Sequence, residues 1–340
     1  MSGAFGSIVD AELLPRLVRI EENLTAASFF QLKLVPAEYV LRRAREEGQL
    51  APGALIVEST SGSFGYALAL VARVHGYRLT IVSDSVIDQR LRARLEELGA
   101  QVDIVREPLP SGGIQAARLA RVEEILAANP HAYWPRQYEN PWNALAYERV
   151  ADHLVDTLGT IDCLIGTVGT GGSMCGLGRR MRARLPRLRL IGVDTHGSVV
   201  FGQLDRARKL RGLGNSIVPQ LVEHDLFDEV HWVTAAEAFH TTRELHARVG
   251  MFRGPTSGAA YLVADWWARR NPGQRAVVIF PDEGHRYDAD VHDAAWLQRE
   301  GLMLERRPED PATIEHPRAA EARWTRLAWG RRRLAEVLRG

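Results

Sequence analysis

An α/β fold with mostly parallel sheets is predicted by three features of this 340-residue chain. Short β-rich apolar runs bounded by glycine alternate with longer amphipathic stretches, the pattern of strands joined by covering helices. Two strand-to-helix junctions are rich in glycine and hydroxyl residues: Glu58-Ser-Thr-Ser-Gly-Ser-Phe-Gly65 and Thr167-Val-Gly-Thr-Gly-Gly-Ser173. The length also suits two lobes, each with a buried core.

Taken in order, the apolar runs predict strands over 54–58, 78–82, 101–105, 161–167, 189–194, 229–233 and 275–280. Helical periodicity falls between them, over 65–75, 87–98, 114–128, 142–158 and 235–249, with a further stretch ending near Arg184. Pro36 suits a helical first turn and Gly48 follows the last periodic residue, so a helix is expected over 36–47, with Lys33 just before its start. Residues 308–317 turn proline- and charge-rich, and 319–338 reads as a basic amphipathic helix appended to the α/β body. A solvated or dimer-packing face is the better reading of that helix than a nucleic-acid surface.

The 43 basic and 42 acidic residues nearly cancel. No global field draws the chain to nucleic acid or an anionic membrane, and a small-molecule partner is expected. Two cysteines, Cys163 and Cys175, exclude a disulfide framework and a four-cysteine zinc site, and they fit a reducing, cytoplasmic setting. His196, His240, His246 and His285 lack a metal-ligand spacing. The first residues carry no basic, apolar leader pattern, and no run is apolar enough to span a bilayer.

Two lysines, Lys33 and Lys209, stand among 41 arginines. Arginine stays charged, whereas a desolvated lysine can lose its proton and attack an aldehyde. A lysine beside a helix start is by itself ordinarily a solvated residue. The two junctions change that reading, because each offers N–H groups and hydroxyls to an anion at a helix N-terminus. Gly169, Gly171 and Gly172 break the dinucleotide G-x-G-x-x-G order, and no Walker lysine follows either turn. Two anion turns and one near-solitary lysine suit a cofactor with one phosphate and one aldehyde.

Glu58-Ser-Thr-Ser-Gly followed by Val168-Gly-Thr-Gly-Gly resembles the cysteine synthase and cystathionine β-synthase group of pyridoxal-phosphate (PLP) enzymes of fold type II. The resemblance implies that Lys33 bonds the cofactor. It gives Thr60, Ser61, Gly62 and Gln137 to the substrate carboxylate, and puts Ser63 near the cofactor's 3′ hydroxyl. Gly169, Thr170, Gly171, Gly172 and Ser173 would cradle the phosphate, and Thr256, with Ser257 beside it, would meet the pyridine nitrogen. A hydroxyl there leaves the ring uncharged and favours β-elimination and replacement. The family's lysine stretch is altered here: Gln31 stands for a serine, the Asn-Pro and glycines are absent, and Ser63 replaces the asparagine after Thr-Ser-Gly. The implied domains are a smaller mobile one over 40–140, a larger PLP-binding one over 1–39 and 141–303, and a C-terminal helical extension over 304–340, with a homodimer expected.

Residues 189–202, 211–216, 227–233 and 280–287 look most like the S-sulfocysteine synthase subgroup, which joins O-phosphoserine to thiosulfate. The implied reaction is β-replacement on an activated L-serine, O-phosphoserine favoured over O-acetylserine, with a sulfur nucleophile giving S-sulfocysteine or cysteine. Arg211 and Arg286 are the candidates to pair with the substrate phosphate. A sister group sharing these motifs uses an amine nucleophile and makes a diaminopropionate precursor. The alternative of another class is a regulatory relative that binds the cofactor without turnover.

Overall fold

A computed structural model describes residues 4–111 and 113–339. The chain opens with α1 (Ile8–Ala11), β1 (Arg16–Glu21), β2 (Leu24–Ser28), α2 (Leu34–Glu46), β3 (Leu55–Ser59), α3 (Ser63–His75) and β4 (Arg78–Asp84). It continues through α4 (Gln89–Glu97), β5 (Gln101–Val105), α5 (Gly113–Ala128), α6 (Trp142–Leu145), α7 (Glu148–Leu158), β6 (Cys163–Thr167) and α8 (Gly172–Arg184). The last part holds β7 (Arg189–Thr195), β8 (Glu229–Val233), α9 (Ala235–Val249), α10 (Pro255–Arg270), β9 (Ala276–Phe280), α11 (Ala294–Arg299), β10 (Ala312–Thr313), β11 (Thr325–Ala328) and α12 (Leu334–Val337). Two compact units result. One comprises the described residues through Leu13 and Lys33–Ala146, the other Leu14–Leu32 and the described residues from Tyr147 onward.

The first unit is built on a parallel sheet in the order β3-β4-β5. Val57 and Val82 on its strands meet Val122 of α5 in a small core. Tyr133 extends the sheet edge, accepting from Val57 N at 2.9 Å and donating to Leu55 O at 2.8 Å. Phe64, Ala67, Leu68, Val71 and Ala72 give α3 a buried stripe at helical spacing, and Gly76 ends it in the left-handed conformation.

The second unit carries an eight-stranded sheet, β1-β2-β9-β6-β7-β8-β11-β10, parallel from β2 to β8. Both central strands β6 and β9 are buried at every residue, which is why they read as unbroken apolar runs. At the edges, β1 runs antiparallel to β2, and β11 antiparallel to β8. No helix among the described residues is long and apolar enough to cross a membrane.

Three expectations are corrected. The helix over 142–158 is two, α6 and α7, with the unit boundary falling between Ala146 and Tyr147. The helix over 319–338 does not form: Thr325–Ala328 joins the sheet as β11 and only Leu334–Val337 is helical. In β11, Thr325 and Leu327 are buried while Arg326 and Ala328 are not, so a period of two prevails, and Gly330 and Arg331 at φ 66 and 58 turn the chain sharply. The β1–β2 hairpin was not expected, because Leu24-Thr-Ala-Ala-Ser28 has little intrinsic strand preference and is held by its pairing with β9.

Candidate active site

Lys33 occupies the residue before α2, whose first turn buries Leu34, Val35, Pro36 and Ala37. This apolar burial anchors the lysine's backbone, and Lys33 O accepts from Ala37 N at 3.1 Å. The side chain is only partly accessible, and loss of water around the ammonium lowers its pKa from 10.5 to about 8. Lys209 is different. It is more than half exposed and pairs with Glu300 at 2.8 Å, a surface arrangement that does not prepare an amine for attack.

In the same unit, β3 runs into Thr60-Ser61-Gly62 and α3 begins at Ser63. Thr60 N donates to Val82 O at 3.1 Å, and Gly62 N to Thr60 Oγ1 at 3.2 Å. A Cβ at Gly65 would lie 2.9 Å from Thr60 Cγ2, so glycine lets the helix approach its own turn. Buried Gln137 is tied to this turn: its Nε2 donates to Ser59 O at 3.1 Å, leaving its second amide hydrogen available. Glu58, also buried, accepts from Ser59 N at 2.8 Å, Trp134 Nε1 at 3.2 Å and Gln137 N at 3.3 Å. Burial pushes its pKa up to about 7 against the pull of those bonds.

The second unit assembles the other candidates. Strand β6 ends at Thr167, Gly171 turns at φ 87, and α8 starts at Gly172. The first-turn N–H groups of a helix have no acceptor within it, so Ser173 sits among donors suited to an anion. A Cβ on Gly171 would lie 2.7 Å from Leu221 O and 2.8 Å from Val222 Cγ2; one on Gly169 would make only ordinary contacts, with Gly212 O at 3.6 Å and Leu213 Cα at 3.9 Å. Gly212 in turn packs on Thr256, where a Cβ would come within 2.8 Å of its methyl, and Gly214 N donates to Val168 O at 2.8 Å. Gly169–Ser173, the 212–214 loop and Thr256 therefore form one cluster. Ser257 is buried beside it, and its Oγ has no hydrogen-bond partner among the described residues.

Arg211 is exposed at the start of that loop, while Arg286 is half-buried and stacks 5.6 Å from the Tyr287 ring. Tyr287 Oη donates to buried Asp282 at 2.7 Å. The brace of the loop is a residue that sequence reasoning passed over: Arg208 binds Gly197 O, Asp205 and, at 2.6 Å, Ser216 Oγ. It looked like one more member of a basic run. Ser198 Oγ adds a second brace by accepting from Asn215 N at 3.1 Å. Cys175 is a packing residue: it is buried, accepts from Glu223 N, and burial pushes its thiol up to about 12. A cavity of about 770 Å³ lined by His240, Arg243, His246, Phe252, His292 and Met303, among others, contains none of the predicted site residues.

A lysine with a lowered pKa and a glycine turn opening a helix are features that a class of enzyme working through a phosphorylated aldehyde requires. Residues 22–282 match the family described as pyridoxal-phosphate dependent enzyme, and the chain belongs to it. It is 36% identical over 298 residues to the N-(2-amino-2-carboxyethyl)-L-glutamate synthase of Ralstonia nicotianae, covering 84% of this chain and 88% of that protein. The synthase of the same name from Cupriavidus metallidurans is 36% identical over 296 residues, 85% of each chain. The O-acetylserine dependent cystathionine beta-synthase from Helicobacter pylori superposes with a TM-score of 0.77 at 27% identity, over 84% of this chain and 98% of that one. This chain is thus a PLP-dependent enzyme of the cysteine synthase type that performs β-replacement.

Proposed function

We propose that the chain joins the β-carbon of O-phospho-L-serine to the amine of L-glutamate, giving N-(2-amino-2-carboxyethyl)-L-glutamate and phosphate. The observation that carries this reading is the 36% identity to two synthases of that product across 84–85% of the chain. It favours the amine nucleophile over the sulfur nucleophile that the motifs in 189–233 and 280–287 resemble.

The residues present fit the cofactor. Lys33 has the lowered amine that an aldehyde needs, Gly169 to Ser173 would supply backbone donors for a phosphate, and Ser257 has a buried hydroxyl without a partner among the described residues. Bound there, PLP supplies an aldehyde for the substrate amine and a ring that draws electrons from Cα. Thr256, as a hydroxyl, would face the ring nitrogen without charging it. The N–H groups and hydroxyls of Thr60, Ser61 and Gly62, with Gln137 Nε2, would hold the substrate carboxylate, with Ser63 at the cofactor's 3′ hydroxyl. Lys33 Nζ would take the proton from Cα as phosphate leaves the β-carbon, and would return a proton to Cα once the nucleophile's nitrogen has added. Arg211 and Arg286 are the side chains we assign to the departing phosphate.

The test offers O-phospho-L-serine with glutamate, thiosulfate or sulfide to the PLP-loaded protein and follows phosphate release and product mass. Glutamate adduct as the main product is expected; S-sulfocysteine or cysteine as the main product overturns the nucleophile. Arg211→Ala should lower the preference for O-phosphoserine over O-acetylserine by about 1–3 kcal/mol. An unchanged preference removes Arg211 from the substrate site.

A further inference from the structure

We propose that Glu58 is a positioning residue that locks the substrate-carboxylate turn to Gln137. The inference rests on the assignment of that turn and that glutamine to the substrate carboxylate, and it concerns how the pair is held. Glu58 is the buried penultimate residue of β3, directly before Ser59-Thr60-Ser61-Gly62. Its Oε1 accepts from Ser59 N at 2.8 Å and from Trp134 Nε1 at 3.2 Å. Its Oε2 accepts from Gln137 N at 3.3 Å, and Arg136 contributes a backbone donor as well. The circuit closes on itself, because Gln137 Nε2 donates to Ser59 O at 3.1 Å and Asn143 Nδ2 donates to Gln137 O at 2.7 Å.

Accepting at both oxygens with no donor of its own requires the ionised carboxylate, the form that prevails above the pKa of about 7 to which burial raises Glu58. An amide of the same shape would turn an NH2 group toward N–H donors and break one side of the circuit. The segment being held is not one that would settle there unaided: Arg136, between Trp134 and Gln137, has φ 55, a left-handed conformation unusual for a residue with a side chain. A buried carboxylate partnered by N–H groups rather than by a Lys or Arg side chain is costly to keep. The cost is intelligible if the bonds set the distance between the Thr60–Gly62 amides and the Gln137 amide, a distance that a carboxylate bound by both must match.

Glu58→Gln in the PLP-loaded protein, compared with wild type at about pH 8 where the Glu58 carboxylate is mostly ionised, tests this. Spectral titrations with L-alanine and with ethylamine, which lacks the carboxylate, read the two parts of recognition separately. Expected is an L-alanine affinity lowered about tenfold, the worth of one hydrogen bond to a charged group, with ethylamine and PLP affinities within about twofold of wild type. In the cofactor-free protein, amide exchange should quicken at Ser59, Arg136 and Gln137 and stay unchanged at Val57 and Val82. An equal loss for both amines, an unchanged L-alanine affinity, or unchanged exchange at those three amides overturns the proposal. If Glu58→Gln fails to fold, Trp134→Phe, which removes one donor and keeps the carboxylate, should give a smaller loss confined to L-alanine, and no loss overturns it. Wild-type protein that takes up no PLP would sink the proposed function, while the exchange arm would still decide the role of Glu58.

Discussion

With a pKa of about 8, the Lys33 amine is roughly one-tenth neutral at pH 7 and half neutral at pH 8. Capture of free PLP by the cofactor-free protein, followed by absorbance, should therefore quicken about fivefold from pH 7 to 8 and less than twofold above. A tenfold rise per unit continuing to pH 10 would mean an amine with no lowered pKa. Borohydride reduction of the loaded protein should fix the adduct on Lys33, and Lys33→Ala should abolish it; an adduct on Lys209 overturns the assignment. Because the folded pKa lies below the unfolded value, native protein binds fewer protons between about pH 8 and 10.5, and the burden of burying this cation falls on the folded state below that window. As a candidate, Lys33 stood out in the sequence by its scarcity and by its place just before the helix that Gly48 ends. Glu58 stood in a quoted motif, yet its bonds to Trp134 and Gln137 join segments far apart in the chain, and Arg208 carried no mark separating it from its basic neighbours.

Among the elements, the glycine turn separates two demands that look alike in sequence. Gly171 is required by the fold, through its positive φ and its closeness to Leu221 and Val222, whereas Gly169 has an ordinary φ and room for a methyl group. Gly171→Ala should destabilise the protein by about 1–3 kcal/mol in urea unfolding. Gly169→Ala should keep its unfolding midpoint and lose at least about tenfold in PLP affinity, since a methyl there obstructs close backbone approach. Full PLP affinity in a folded Gly169→Ala protein would count against the turn as the phosphate cradle. Most strands were readable because buried parallel strands leave continuous apolar runs. Helix α10 was not, because Pro255 through Ala268 are all buried and no polar face reveals a helical period.

On the scale of the whole molecule, the segment expected to be an appendage completes a sheet. Trp324 Nε1 donates to His231 Nδ1 at 3.0 Å, which leaves the proton of the fully buried imidazole on Nε2, facing Glu229 Oε1 at 2.8 Å. Arg326 pairs with the same glutamate at 3.0 Å. Trp324→Phe strands the Nδ1 acceptor and should cost about 1–3 kcal/mol in urea unfolding; an unchanged midpoint would mean that the bond is idle.

The pairing of Leu24 with Ala276, and of Trp232 with Thr325, has a consequence for how the chain is made. At about 5–20 residues per second, β2 leaves the ribosome roughly 10–50 s before its sheet partner exists. Residues 33–146, whose strand pairings are all local, can fold during that wait, while β1 and β2 must be kept from other edges until β9, in the last fifth of the chain, emerges. Stalled nascent chains of increasing length, challenged with protease, should show 33–146 protected well before 14–32. Simultaneous protection of both, at any length short of residue 276, would show that the hairpin finds an early partner.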